Sequence, residues 1–217
     1  MDFKSLTLAL LKQGLSKTFN LNGGFKMIEV KDKKELAQIK YINELTKSKE
    51  NNLREVFQYA LVTQKNGQRI LFTTDARQAR FMFINYDLPD GLYKIIEEKN
   101  SCFIAPIQFD QDYPNVDFLV NWEETGDYKE IGSYGHASRV FVATEIILDS
   151  LNVFPECKFV LNVDYIDNVF KMPEKAFRLI HGDSFLPAYF NGLTRSSILF
   201  KGKEVTSIVV LGIYSKS

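Results

Sequence analysis

The sequence predicts an α+β fold with a mostly antiparallel mixed sheet that is flanked by helices. Short apolar stretches such as Phe25–Val30 alternate in the manner of strands and are separated by Gly, Asn and Pro turns. The Lys65-Asn-Gly67 turn lies between two apolar runs, which is typical of a β-hairpin with positive φ angles. One stretch after Asp32 instead carries an apolar face at helical spacing, formed by Leu36, Ile39, Ile42 and Leu45.

Length and composition fit one domain over residues 1–217, with 45% hydrophobic and 25% charged residues. We expect residues 1–20 to form an N-terminal helix and residues 21–217 to form the sheet core with its helices. The helix rests on a stripe of Phe3, Leu6, Leu10, Leu11 and Leu15. That stripe is too short to span a membrane, so no membrane association is expected. No internal repeat is visible.

The remaining elements follow from local patterns in chain order. The first helix is predicted over 33–46, where Asp32 can cap it, and the hairpin over 57–73. Three short helices are predicted over 76–80, 92–99 and 173–180, the last with Pro in its first turn. The further predicted strands are residues 81–86, 102–109, 116–122 and 157–163, followed by a closing hairpin of 196–200 and 205–214.

The longest apolar segment, 139–151, carries two conflicting signals. Its β-branched and aromatic residues favour a strand, whereas an apolar spacing of three and four favours a helix. Thirteen residues are long for a strand and ordinary for a helix, and Ser138 can act as the N-cap. We therefore predict a buried helix.

Charge and cysteine content limit the classes of function and the cellular compartments that fit the sequence. Lys plus Arg equals Asp plus Glu at 27 each. This balance argues against a protein built mainly to bind nucleic-acid phosphates, although it allows a local basic patch. Cys102 and Cys157 both lie in apolar runs, as expected for small buried hydrophobic residues. They fit a reducing compartment, and we expect a cytoplasmic protein.

A loop rich in small residues precedes the predicted helix. It comprises Gly132, Ser133, Tyr134, Gly135, His136 and Ala137, with Ser138 and Arg139 at the helix start. The first turn of a helix presents unpaired backbone N–H groups and partial positive charge, and glycines let a ligand approach them closely. These features are typical of a phosphate or pyrophosphate site. The alternative is a plain tight turn.

The order of these elements resembles that of the GNAT superfamily of acyl-CoA-dependent N-acyltransferases. The family's loop carries Gln or Arg, two residues, Gly, one residue, then Gly or Ala, and Gly135 and Ala137 match it whereas Gly132 does not. A later family motif is Ala-x-x-Leu-Tyr. Here Ala176 and Leu179 match it, but Ile180 stands in place of the tyrosine.

The resemblance implies that the backbone from Gly132 to Ala137, with Ser138 and Arg139, binds acyl-CoA and that a small-molecule or protein amine accepts the acyl group. Since Ile180 cannot donate a proton, His181 or Tyr189 would replace the acidic tyrosine. Glu123 and Glu124 are the candidates for the base that deprotonates the amine.

Two alternatives remain open. The first is a non-enzymatic protein-interaction or defence-related accessory factor on an unrelated α+β fold. The second is a metal-dependent nuclease, since Glu29 and Lys31 form a Glu-x-Lys motif on a predicted strand. Such a motif is more often a solvated strand edge. Two histidines 45 residues apart indicate no metal site, and Trp122 either fills the core or walls a pocket.

Overall fold

In the computed structural model, an antiparallel sheet of twelve strands runs through the described residues. The structure describes residues 18–21, 25–49, 54–135, 138–157, 159–173, 178–180, 183–192, 197–210 and 212–213. The strands are β1 Thr18–Leu21, β2 Phe25–Val30, β3 Ala60–Lys65, β4 Gln68–Thr74, β5 Gln78–Phe83, β6 Gly91–Glu97, β7 Cys102–Pro106, β8 Lys129–Gly135, β9 Phe159–Val160, β10 Arg178–Ile180, β11 Asp183–Asn191, β12 Ser197–Lys201, β13 Val205–Val210 and β14 Gly212–Ile213. The α+β class and the antiparallel sheet are therefore confirmed.

The sheet has two halves, which meet at a single pair of strands. The order is β1-β2-β7-β6-β3-β4-β5-β13-β12-β11-β10, with β8 also paired to β11 and with β9 and β14 forming a separate pair. The meanders β3-β4-β5 and β11-β12-β13 meet where β5 pairs with β13. Each meander is preceded in the chain by a strand and a helix. The two halves are therefore joined through the β5–β13 pair into one continuous sheet.

Helix α1, Lys33–Asn43, covers the sheet in the first half. Its N-cap is Asp32, whose side chain accepts a hydrogen bond from the backbone N–H of Glu35 at 2.9 Å. The predicted apolar stripe is buried, with Ile39 and Ile42 at 0% exposure. The side of the sheet that α1 covers is called the helix face below.

The second half places α4, Arg139–Val153, and α5, Val163–Phe170, in the same apolar core as α1. Val142 and Ile146 of α4 are buried there. The predicted helix over 139–151 is therefore confirmed. It is not buried all round, however, since Phe141 and Leu148 are each 57% exposed.

Residues 107–128 join the two halves and cross the opposite side of the sheet, called the outer face. This connection contains two short helices, α2 Asp117–Val120 and α3 Trp122–Thr125. Their buried side chains form a second core with Phe72, Phe81 and other residues of the central strands. Residues alternate along a strand, so Phe81 points to this core while its neighbour Met82 packs in the core of α1.

Turn chemistry correctly predicted the first hairpin. Asn66 and Gly67 adopt φ angles of 51° and 77°, which a two-residue hairpin turn of this kind requires. The closing hairpin of β12 and β13 is also confirmed.

Several predicted elements have the wrong type. Residues 76–80 and 92–99 are not helices but contribute to β5 and β6, because pairing with neighbouring strands overrides the local helical spacing. Residues 116–122 are helical rather than extended. Only 159–160 of the predicted strand 157–163 is extended. In the range 173–180, residues 178–180 form a strand and residues 174–177 lie outside the described residues.

Most of the predicted N-terminal helix, residues 1–17, also lies outside the described residues. Its last three residues, 18–20, belong to strand β1. In the part of the chain that the structure describes, no helix has the length and apolar character needed to cross a bilayer.

Candidate partner-binding site

An apolar cavity lies between the outer face of the sheet and the connection that crosses it. Its volume is about 440 Å³. The strands contribute its floor and the connection contributes its roof, because both bury apolar side chains toward each other. The side chains that dominate its lining are Phe57, Phe72, Ala79, Val116, Phe118 and Leu119.

Aromatic rings close one end of the cavity. The Tyr113 ring lies edge-on to the rings of Phe57 and Phe72, with centroid distances of 5.7 and 6.2 Å. Burial raises the pKa of the Tyr113 hydroxyl above its usual value, so this wall stays uncharged. At the rim, the guanidinium of Arg54 lies 5.8 Å from the centroid of the Phe57 ring. The site therefore suits an apolar group, and its rim offers a polar contact.

The connection is anchored beside the cavity by Trp122. This residue is 6% exposed and its ring lies 4.8 Å from that of Tyr189. Lys65 of β3 and Lys201 of β12 place their ammonium groups 5.7 and 5.2 Å from the indole centroid. Trp122 therefore packs in the second core and also anchors one end of the connection that forms the roof.

Glu123, a predicted catalytic base, is held by the same two lysines. It forms ion pairs with Lys65, at 3.1 Å, and with Lys201. Partial burial pushes its pKa upward, but the hydrogen bonds from Lys201 and Lys65 together lower the pKa below its ordinary value. The structure thus places Glu123 in an ion-pair network that holds the connection. Glu124, the other candidate base, is exposed on α3.

The predicted pyrophosphate loop is a strand over residues 132–135. Gly132 and Gly135 pair with Ala188 and Phe185 of β11 in β8, so they do not form an open turn before the helix. A Cβ atom on Gly132 would lie 3.1 Å from the hydroxyl of Tyr134. The group that closely approaches the backbone of Gly132 is therefore the protein's own Tyr134 hydroxyl, not a ligand.

Tyr134 also ties β8 to α4, since its hydroxyl donates a 2.7 Å hydrogen bond to Asp149. Burial and that carboxylate raise the pKa of Tyr134 above its usual value. Ser133 is half-buried in the strand, and Ser138 is the exposed N-cap of α4 without a side-chain cap bond.

Other predicted site residues fall outside what the structure describes. These are His136, Ala137 and His181, together with the side chain of Arg139. The proposed roles of the whole residue set stay predictions. The structure does bring Glu123 and Tyr189 to the surroundings of Trp122, whereas Gly132 to Gly135 lie farther along the strand that contacts Tyr189.

The start of α1 borders a separate cleft of about 540 Å³. Four lysines from two chain segments line it, namely Lys31, Lys33, Lys40 and Lys99. Lys31 pairs with Glu29 at 3.0 Å, so the Glu-x-Lys motif forms a local ion pair. No group of three or more His, Cys, Asp or Glu side chains suited to a metal occurs within the described ranges.

No protein-family model matches the chain, and no curated protein sequence matches it. Solved structures do. A protein from Eubacterium rectale described as a DNA polymerase III β subunit aligns at a TM-score of 0.54 and 8% identity, over 91% of this chain and 67% of that chain. The β subunit from Borrelia burgdorferi aligns at 0.53 and 10%, over 99% and 70%. The Helicobacter pylori β clamp, solved with a DNA ligase peptide, aligns at 0.50 and 10%, over 93% and 69%.

The chain has the sliding-clamp fold. The resemblance to GNAT acyltransferases is therefore wrong, and so are the acyltransferase function and the amine acceptor that it implied. The expectation of a protein without a strong nucleic-acid signal is contradicted on the same ground, since the matched structures are described as subunits of DNA polymerase III. Bound acyl-CoA stays a prediction, now without the family resemblance that motivated it.

Sequence reasoning missed the cavity. Its roof residues Val116, Phe118 and Leu119 fall in the predicted strand 116–122, but they lie in helix α2 or at its N-cap. The one available signal was the pair Pro114-Asn115 directly before them, because Asn115 accepts a hydrogen bond from the N–H of Asp117 and so starts a turn.

Proposed function

We propose that this chain is a non-enzymatic interaction protein of sliding-clamp fold whose outer-face cavity binds an apolar segment of a partner protein. The observation that carries the proposal is the apolar cavity of about 440 Å³ beneath an anchored connection. This volume lies in the range of ordinary ligand pockets. The DNA ligase peptide bound to the Helicobacter pylori clamp supports a peptide as the occupant.

The chemistry of the cavity also supports a peptide anchored by apolar side chains. Buried aromatic and aliphatic anchors supply most of the binding energy at protein interfaces. Phe118 and Leu119 offer such contacts from the roof, and Arg54 offers a donor at the rim. Val210 is 39% exposed at the margin of the cavity, where it can be changed without disturbing the core.

The test selects ten-residue peptides from a displayed library and measures the affinity of the enriched peptide by fluorescence polarisation. We expect apolar anchors in the enriched peptide and at least tenfold weaker binding to Val210→Glu. Val160→Glu is the matched control, since Val160 is also an exposed strand valine but lies away from the cavity. Equal binding by both variants would place the peptide elsewhere and remove the proposal.

A second candidate function, contact with double-stranded nucleic acid, is favoured by the lysine-lined cleft at the start of α1. Lys33 and Lys99 are exposed there, and Lys40 also lines the cleft. Lysines concentrated on one surface can neutralise several phosphates even though the chain has no net charge. The solved relatives with this fold are DNA polymerase clamps, which supports the same partner.

Fluorescence anisotropy with a 30-base-pair DNA duplex at several salt concentrations tests this candidate. Each lysine that contacts a phosphate contributes about one unit to the slope of log affinity against log salt concentration. We expect the Lys33→Glu, Lys99→Glu double variant to lower that slope by about two. The control pair, Lys94→Glu with Lys203→Glu, changes two exposed lysines that do not line the cleft. Equal slopes for both pairs would exclude the cleft.

Cys102 and Cys157 are free in the structure. Free thiols suit a reducing compartment, and we include a cytoplasmic location in this proposal.

A further inference from the structure

A polar cavity of about 330 Å³ opens on the helix face of the sheet, where α1 ends beside α5. It lies on the opposite side of β5 from the partner-binding cavity. Seven polar residues contribute to its lining, namely Glu44, Ser48, Asp75, Gln78, Arg80, Tyr165 and Asn168.

Arg80 is 1% exposed and is already committed to its neighbours. One terminal nitrogen donates to the backbone carbonyl of Tyr41 and to Glu44, and the other donates to the carbonyl of Asn168 at 3.5 Å. The guanidinium carbon also lies 3.8 Å from the centroid of the Tyr41 ring. The charge of Arg80 is therefore largely balanced before any ligand arrives.

Gln78 precedes Arg80 by two residues on β5, so both side chains point to the helix face. Gln78 is 3% exposed, and its Oε1 atom has no hydrogen-bond partner among the described residues. The Nε–H group of Arg80 is likewise unpartnered within those residues. A buried polar atom without a hydrogen-bond partner destabilises the folded state. Two such atoms in one cavity therefore require an explanation.

Two carboxylates and the guanidinium of Arg80 lie around these two atoms, and Arg77 donates a hydrogen bond to Tyr165 at the edge of the cavity. Asp75 is 6% exposed, and one of its carboxylate oxygens accepts hydrogen bonds from the N–H groups of Arg77 and Gln78. Glu44 adds a second carboxylate. The C-terminal ends of α1 and α5 meet here, and the end of a helix carries partial negative charge. An anion is disfavoured, whereas a cation with N–H donors is matched.

We propose that this cavity binds a small organic cation with a primary ammonium group, which donates hydrogen bonds to Gln78 and the carboxylate of Asp75. An acceptor atom on the ligand, such as a hydroxyl oxygen, can take the Nε–H group of Arg80. This site is independent of partner-peptide and nucleic-acid binding.

The test compares two monovalent cations of similar size by NMR titration of the ¹⁵N-labelled full chain. Propylammonium has N–H donors and tetramethylammonium has none. We expect propylammonium alone to cause saturable shifts at the amides of Gln78 and Arg80. Gln78→Met keeps the length of the side chain but removes the acceptor, and it should weaken propylammonium binding about tenfold, as for one hydrogen bond to a charged group.

Gln64→Met is the matched control, because Gln64 is exposed on β3 and does not line the cavity. It should bind propylammonium with unchanged affinity. If Gln78→Met does not fold, Asp75→Asn serves instead, since it keeps an oxygen for the backbone N–H groups while it removes the charge. Equal shifts with both cations, or equal affinity in the wild-type chain and the folded cavity variant, would overturn the proposal.

Discussion

The ammonium group of Lys65 lies 3.1 Å from the carboxylate of Glu123, across the gap between strand β3 and the connection. The Lys65 side chain is only 6% exposed, and it also donates a 2.7 Å hydrogen bond to the carbonyl of Val120. A buried lysine thus joins the sheet to both short helices of the connection. It holds the roof of the partner-binding cavity in place.

Replacing Lys65 by Met should lower the free energy of unfolding by about 1–3 kcal/mol, because it leaves the buried carbonyl of Val120 without its donor. Urea unfolding followed by circular dichroism measures the loss. Lys94→Met on β6 is the control, since Lys94 is exposed and its loss should change stability by less than about 0.5 kcal/mol. Equal losses in the two variants would show that the buried lysine does not fasten the connection.

The ion pairs of Glu123 should make stability depend on pH. The folded-state pKa lies below the ordinary value of 4.5, so the stabilisation is complete above that value and is lost as pH falls through the folded pKa. Glu123 is 39% exposed, so we expect Glu123→Gln to cost less than about 1 kcal/mol at pH 7. The cost should shrink as the pH falls below 4.5. Unfolding curves of both proteins from pH 3 to pH 7 test this, and a cost that is constant with pH would contradict it.

The sequence predicts the elements that contacts between nearby residues determine. It fails for the elements that depend on pairing with strands distant in the chain. The Asn66-Gly67 turn and the Asp32 cap act within a few residues, and both were predicted. Residues 92–99 look helical by spacing but form β6, because their partners lie on β3 and β7. Pairing with neighbouring strands overrides the local preference of these residues for a helix.

The sequence could not predict the candidate site for the same reason. Its floor and roof come from strands and a connection that are distant in sequence, such as Phe72 and Leu119. Glu123 was noticed as a carboxylate beside a tryptophan, but its partners Lys65 and Lys201 are 58 residues before it and 78 after it. Only the folded arrangement of β3 and β12 shows that it is an anchor.

Gly132 should tolerate alanine poorly. A Cβ atom there would lie 3.1 Å from the Tyr134 hydroxyl and 3.4 Å from Asp149, so the bond between those two residues must shift. We expect Gly132→Ala to lower the free energy of unfolding by about 1–3 kcal/mol. Tyr134→Phe alone should cost about 1 kcal/mol through loss of its hydrogen bond.

A double-mutant cycle separates the clash from any effect on the backbone. In the Tyr134→Phe background the nearest atom is gone, so Gly132→Ala should cost less than it does in the wild-type chain. Thermal unfolding of the four proteins gives the interaction energy. Additive costs would mean that the tyrosine hydroxyl is not what excludes a side chain at this position.

The two cysteines should differ in reactivity toward Ellman's reagent. Burial raises the pKa of Cys102 to about 12, so almost none of it is thiolate at pH 8, whereas Cys157 is only half-buried. The native chain should therefore release one equivalent of thionitrobenzoate quickly, and the chain in guanidinium chloride should release two. Cys157→Ser should abolish the fast phase. A fast phase that survives this substitution would mean that strand β7 opens readily and exposes Cys102.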